Sequence, residues 1–135
     1  MKDLKDKNVI VTGASGGIGN SIIKKFSENG SNILASGTRV EKLEELKTKF
    51  KNVKILPFDI SQNDKIEDFI DNATNELNGK LDCIVNNAGI TKDNLAIRMN
   101  FDEWKKVIDV NLSSTFLLSK FAIKKMLKNK SGKII

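Results

Sequence analysis

Apolar residues fall along this chain in short runs separated by amphipathic stretches. The first run, Val9-Ile-Val-Thr12, stops at a glycine cluster and reads as a strand. Residues 17–29 place Ile18, Ile22, Ile23 and Phe26 at helical spacing, with Asn29-Gly30 as the stop. Asn32-Ile-Leu-Ala-Ser36 reads as a second strand, and Val40, Leu43, Leu46 and Phe50 mark one face of a helix over 39–50. Val53, Ile55 and Leu56 make a third strand ahead of Pro57. Ser61 is placed to cap a helix lined by Ile66, Phe69, Ile70, Ala73 and Leu77, which ends near Gly79. Leu81-Asp-Cys-Ile-Val85 is a fourth strand, a long helix is predicted from about Phe101 to Lys128, and Lys133-Ile-Ile135 begins a fifth strand.

Strands joined by helices of this length must run parallel. The alternation therefore predicts an α/β fold with a doubly wound parallel sheet, without repeats, low-complexity linkers or an internal boundary. The sequence stops on two β-branched residues inside a strand, where a terminus is usually polar and frayed. The expectation is a nucleotide-binding domain over 1–135, truncated at its fifth strand.

Composition narrows the chemistry. The 135 residues are 39% hydrophobic and 30% charged, enough for one core. There is no histidine, which excludes Ser-His-Asp and Cys-His nucleophilic systems and histidine-bound zinc. The single cysteine, Cys83, can form no internal disulfide and no metal cluster, and its place in the fourth strand reads as small core filler. The net charge of +6 is confined to Lys120, Lys124, Lys125, Lys128, Lys130 and Lys133, since the other 17 basic residues balance the 17 acidic ones. A nucleic-acid binder spreads its charge otherwise, and the lysine excess reads as AT-rich coding. No apolar stretch approaches the roughly 20 residues of a membrane span, and the charged start, Met1 to Lys7, lacks a signal-peptide core. A cytoplasmic protein that binds neither nucleic acid nor membrane is expected.

The first strand runs into Thr12-Gly-Ala-Ser-Gly-Gly-Ile-Gly19 and then a helix. Gly13, Gly17 and Gly19 allow a tight turn, close backbone approach to phosphate oxygens, and packing of helix on strand. The first amides of the helix then face a pyrophosphate.

This spacing, one residue longer than the ordinary dinucleotide fingerprint, resembles the short-chain dehydrogenase/reductase family, whose glycine motif begins Thr-Gly. Three further stretches carry the resemblance: Asp59-Ile60 at the end of the third strand, Asn86-Asn-Ala-Gly89 at the end of the fourth, and Asn111 in Val110-Asn-Leu112. The resemblance implies cofactor contacts from Gly13, Ala14, Ser15, Gly16, Gly17, Ile18 and Gly19, from Thr38 and Arg39, from Asp59 and Ile60, and from Asn87, Ala88 and Gly89. It makes Asn111 the one catalytic residue present, and it implies no metal. A narrower likeness, in Ile90-Thr-Lys-Asp-Asn-Leu-Ala-Ile-Arg-Met99, Trp104 and Asn111-Leu-Ser-Ser114, is to the family's bacterial branch that reduces 3-oxoacyl groups on acyl carrier protein with NADPH. Leu95, Ile97 and Met99 also suit a short helix packed on the core, and Trp104 suits an anchor for the long helix.

The end of the second strand bears on the cofactor. A carboxylate there would bind the adenosine ribose and repel a 2′-phosphate. Ser36-Gly-Thr-Arg39 has no acid, Thr38 matches a phosphate-touching position, and Arg39 supplies charge, so NADPH (NADP) is favoured over NADH. Many relatives also carry a basic residue where this chain has Gly16.

The family's chemistry further uses a serine, a tyrosine and a lysine beyond the fifth strand. This chain has no tyrosine, so it is expected to be the inactive N-terminal half of a reductase. Another short-chain oxidoreductase, acting on a 3-oxoacyl-CoA or a polyol, and a non-catalytic nucleotide-binding module remain open alternatives. The resemblance implies a homo-oligomer, a tetramer, packed through the long helix. The apolar residues for that are Val107, Ile108, Leu112, Phe116, Leu117, Phe121 and Ile123, while Lys128, Lys130 and Lys133 could dock acidic acyl carrier protein.

Overall fold

The computed structural model describes residues 4–135; Met1, Lys2 and Asp3 of the charged start lie outside the described residues. Strands β1 (Asn8–Val11), β2 (Asn32–Ala35), β3 (Val53–Ile55), β4 (Cys83–Val85) and β5 (Lys133–Ile134) form one parallel sheet in the order β3-β2-β1-β4-β5. The helices are α1 (Gly17–Glu28), α2 (Val40–Lys49), α3 (Ile66–Glu76), α4 (Phe101–Ile108) and α5 (Ser114–Met126).

Alternation along the strands divides the core. Val9, Val11, Ile33, Ala35, Cys83 and Val85 meet Ile23 of α1 and Leu43 and Leu46 of α2. Ile10, Leu34 and Ile84 point the other way, against Ile70 and Ala73 of α3 and Leu118 and Ala122 of α5. With helices on both faces, β1 is buried at all four positions, which explains its unbroken apolar reading. Cys83 sits in this core; burial first, then the charge of Asp82, pushes its thiol up to about 11, so it is packing and not a nucleophile. Strand order reverses between β1 and β4, and that crevice is where open α/β sheets take ligands.

Five expectations change. Ser61 caps nothing: its amide donates to Asp59 Oδ1 at 2.9 Å in a local turn, and a 3₁₀ turn over Asn63–Lys65 precedes α3. The long helix is two helices. Asn100 and Glu103 close a capping box that starts α4, and a wider π turn over Asp109–Ser113 separates it from α5. Fully buried Ser114 Oγ lies 2.7 Å from the Ile60 carbonyl and 2.9 Å from the Asp109 carbonyl, a side chain set into the helical ladder that accounts for the widening. Leu95 (59% exposed) and Ile97 (93%) do not pack on the core, because 91–100 is a loop with a turn. Trp104 (55%) stays outside the core, and Ile18 (74%) turns away from the core face of α1.

The amino ends of the strands are tied by Asn8. Its Nδ2 donates to the Leu77 and Lys80 carbonyls at 2.8 and 3.0 Å, and its backbone amide donates to Asp82 Oδ2 at 2.9 Å. Lys80 Nζ stands 2.9 Å from Asp82 Oδ1. Burial raises the Asp82 carboxyl, but the Asn8 amide, Lys80 and Lys7 together outweigh it and hold it below its ordinary value of 3.8. A carboxyl lowered on folding stabilises the native state above its unfolded pKa, and that stability is lost as pH falls through the native one. Urea unfolding between pH 7 and pH 3 should show this loss, and Asp82→Asn should flatten the acid limb while costing about 1–2 kcal/mol at neutral pH.

Candidate functional site

The site is built at the carboxyl ends of β1, β2 and β4. Thr12 follows β1 with its hydroxyl buried; Oγ1 lies 3.3 Å from the Val85 carbonyl and accepts from the amides of Asn87 and Ala88 at 3.2 and 3.1 Å. Asn87 Nδ2 returns two bonds, to the Thr12 and Gly13 carbonyls at 3.2 and 3.1 Å. The chain then reverses at Gly13, whose φ is +62°. A Cβ there would stand 2.7 Å from Ala88 Cα, so the turn needs glycine for conformation and for space. Gly19 is held as tightly, since a Cβ on it would stand 2.3 Å from the Gly13 carbonyl oxygen.

A cavity of about 550 Å³ opens beside this turn. Gly13, Ser15, Gly16, Gly17, Ile18 and Gly19 form one wall. Gly16 offers α1 no capping side chain, so the amides of its first turn remain for a ligand at the positive end of the helix. A Cβ on Gly17 would meet nothing within 4 Å, in contrast to its two neighbours in the motif. Ala14 is fully buried behind the loop and holds it by donating its amide to the Ser36 carbonyl at 2.9 Å.

The second wall comes from the ends of β2 and β3. Gly37, Thr38 and Arg39 line it, and Arg39 Nη2 donates to the Ser15 carbonyl at 2.6 Å, which parks the guanidinium beside the glycine turn. The Phe58 amide continues the β2–β3 pairing by donating to the Gly37 carbonyl at 3.1 Å. The Phe58 ring stacks on Phe69 of α3 with centroids 4.4 Å apart, fixing Asp59 and Ile60 at the rim. Asn87, Ala88 and Gly89 close the third side.

The structure thus brings the sequence-predicted residues onto one cavity, Ala14 and Asn111 excepted. Asn111 lies in the π turn and binds the Ile90 main chain with both ends of its amide, accepting from the amide nitrogen and donating to the carbonyl oxygen, at 2.8 Å each. Sequence reasoning missed Lys106 and Val110, which line the cavity from α4 and the π turn. Their four-residue spacing puts both on one helical face, and that was the available signal. It also missed Ser36, Phe58 and Ile90 in the lining. No cluster of groups able to hold a metal occurs among the described residues. The open first turn of α1, the gap beside Gly17 and the cation at Arg39 fit a phosphate-bearing dinucleotide.

Comparison with known proteins gives the family. The sequence model of the family described as "short chain dehydrogenase" matches residues 7–135. The chain is 43% identical to proteins named 3-oxoacyl-[acyl-carrier-protein] reductase FabG from Rickettsia conorii and Rickettsia felis, covering 100% of this chain and 54% of each relative. It is 40% identical to Nodulation protein G of a Rhizobium species, covering 100% of this chain and 55% of that protein. The chain spans about half the length of the curated relatives it matches.

The two glycines predict opposite effects. Gly19→Ala drives a methyl into backbone and should destabilise the fold by about 3 kcal/mol or more, read by chemical denaturation. Gly17→Ala should leave stability within about 1 kcal/mol and weaken nucleotide binding, read by calorimetry.

Proposed function

This chain belongs to the short-chain dehydrogenase family, and on that premise we propose that it is the cofactor-binding half of an NADPH-dependent reductase of 3-oxoacyl groups carried on acyl carrier protein. The carrying observation is the cavity in which the uncapped first turn of α1, Thr38 and Arg39 converge, with no carboxylate at the end of β2. NADPH, when bound, supplies the hydride that turns the 3-oxo carbonyl into a hydroxyl. In this reading the Gly17–Gly19 amides hold the pyrophosphate, while Thr38 and Arg39 hold the 2′-phosphate. Asp59 accepts from the adenine amine, and Ile60 packs on the base. Asn87, Ala88 and Gly89 form the floor toward the reacting ring. Asn111 orients that floor through Ile90.

The relatives named as acyl-carrier-protein reductases support the substrate class. Lys124 and Lys125 pair with Glu67 and Asp71 of α3 at 2.7 Å. Lys128 and Lys130 stand exposed beyond them, free to meet the acidic carrier. The outward face of α4, the π turn and α5 exposes Trp104, Leu112, Phe116 and Ile123, which suits burial against further copies in a homo-oligomer such as a tetramer. A cytoplasmic setting suits this role. Among the described residues no helix is long and apolar enough to cross a membrane.

Calorimetry of the chain with NADP⁺ and NAD⁺ tests the cofactor assignment. Arg39→Ala should weaken NADP⁺ roughly tenfold or more and NAD⁺ by less than about twofold, the loss of one charge-assisted phosphate contact. Equal losses would remove the preference for NADPH. With no tyrosine to protonate the forming alkoxide, these 135 residues alone should bind NADPH without oxidising it in the presence of a 3-oxoacyl thioester. Enzyme-dependent oxidation would refute the assigned division of labour.

A further inference from the structure

Ser36 follows the last residue of β2 and is only 1% exposed, and its hydroxyl has no hydrogen-bond partner. A buried orphan hydroxyl is costly and calls for a reason. Its backbone is fully engaged: the amide donates to the Val11 carbonyl at 2.9 Å and the carbonyl accepts from Ala14 at 2.9 Å, so the residue cannot move away. The other two buried orphans among the described residues differ. Thr74 lies inside α3, and Asn86 still donates through Nδ2 to Ser119; neither lines the cavity, and Ser36 does.

Strand alternation gives the direction. Ile33 and Ala35 face α1 and α2, and Leu34 faces the opposite side with Ile60 and Val110. Ser36 therefore shares the side of Ile60 and Val110, while the next residue, Gly37, points its Cβ direction to within 3.0 Å of Ser15 Oγ on the glycine-loop side. On the dinucleotide reading above, the ribose and its phosphate take the Gly37 side, by Arg39 and Ser15. The apolar slot of Phe58, Ile60 and Val110 suits a flat aromatic base, and Ser36 lines the same cavity with its hydroxyl buried and unpaired.

We propose that Ser36 is a specificity residue of the cofactor site, donating its hydroxyl proton to a ring nitrogen of the adenine. This rests on the dinucleotide reading above and extends it from the phosphates to the base. The hydroxyl is left without a protein partner so that the base can be read when it arrives.

The test pairs Ser36→Ala with two probes, NAD⁺ and nicotinamide cytosine dinucleotide, which share ribose, pyrophosphate and nicotinamide and differ in the base. Calorimetry should show Ser36→Ala weakening NAD⁺ roughly tenfold and leaving the cytosine compound within about twofold. Without ligand, the melting temperature of Ser36→Ala should hold or rise by about 2–5 °C, since an unpaired buried group is removed. Ser36→Cys, of similar volume and with a weak donor, should fall between the two in NAD⁺ affinity. Equal weakening of both probes would assign the hydroxyl to the ribose and overturn the base contact. Unchanged affinity for both, or a lowered melting temperature without ligand, would overturn the proposal by making Ser36 structural. Failure of the unaltered chain to bind NAD⁺, NADP⁺ or the cytosine compound would overturn the dinucleotide reading and this proposal together.

Discussion

The reversal of the chain at Gly13 governs this molecule. β1 must end, turn with a positive φ and enter α1, all within contact of the loop that leaves β4. Thr12 and Asn87 make that possible by exchanging hydrogen bonds across the gap, so that two loops from distant parts of the chain brace each other. Because the brace joins the buried Thr12 to the half-buried Asn87 through several bonds with defined partners, it has one geometry. The first turn of α1, the rim at Asp59 and the floor at Gly89 are all placed relative to it. A phosphate meeting those amides finds them already oriented, and little ordering is left for binding to do.

Most of this frame could be read from the residues. Apolar runs covered on both faces, such as Val9 to Val11, announce a parallel sheet. The glycine spacing between Thr12 and Gly19 announces the turn, because no other residue fits at Gly13 or Gly19. Other features depend on distances no linear pattern encodes. The π turn at Asp109–Ser113 follows from Ser114 reaching the Ile60 carbonyl, more than fifty residues away, and the sequence there reads as continuous helix. Ser61 has the composition of a cap but loses to Asp59, which captures its amide first. Lys106 reads as a solvated helical charge until Val110 is seen to line the cavity. Leu95 and Ile97 mislead for a different reason: an apolar residue records that a surface will be covered, and among the described residues both stay exposed.

The electrostatics follow the same division. At the amino ends of the strands, the charge of Asp82 is answered by Asn8 and Lys80 and serves stability. At the carboxyl ends, the partial charges of α1 and the cation of Arg39 are only partly answered within the chain. One end of the sheet pairs its charge within the chain, while the other presents the uncapped first turn of α1 and the Arg39 cation to the cavity.

The position of β1 between β2 and β4 bears on how the molecule closes. Asn8 meets Asn32 across 24 residues of chain and Asp82 across 74. Joining β4 therefore carries about 1 kcal/mol more loop entropy than joining β2, and it is β4 that brings Asn87 to Gly89 into place. The cavity is walled on one side by Asn87, Ala88 and Gly89, so it is complete only when β4 is paired with β1. Any ligand that fills the cavity therefore favours the state in which β4 is docked, so filling the site and holding the sheet together draw on the same contacts.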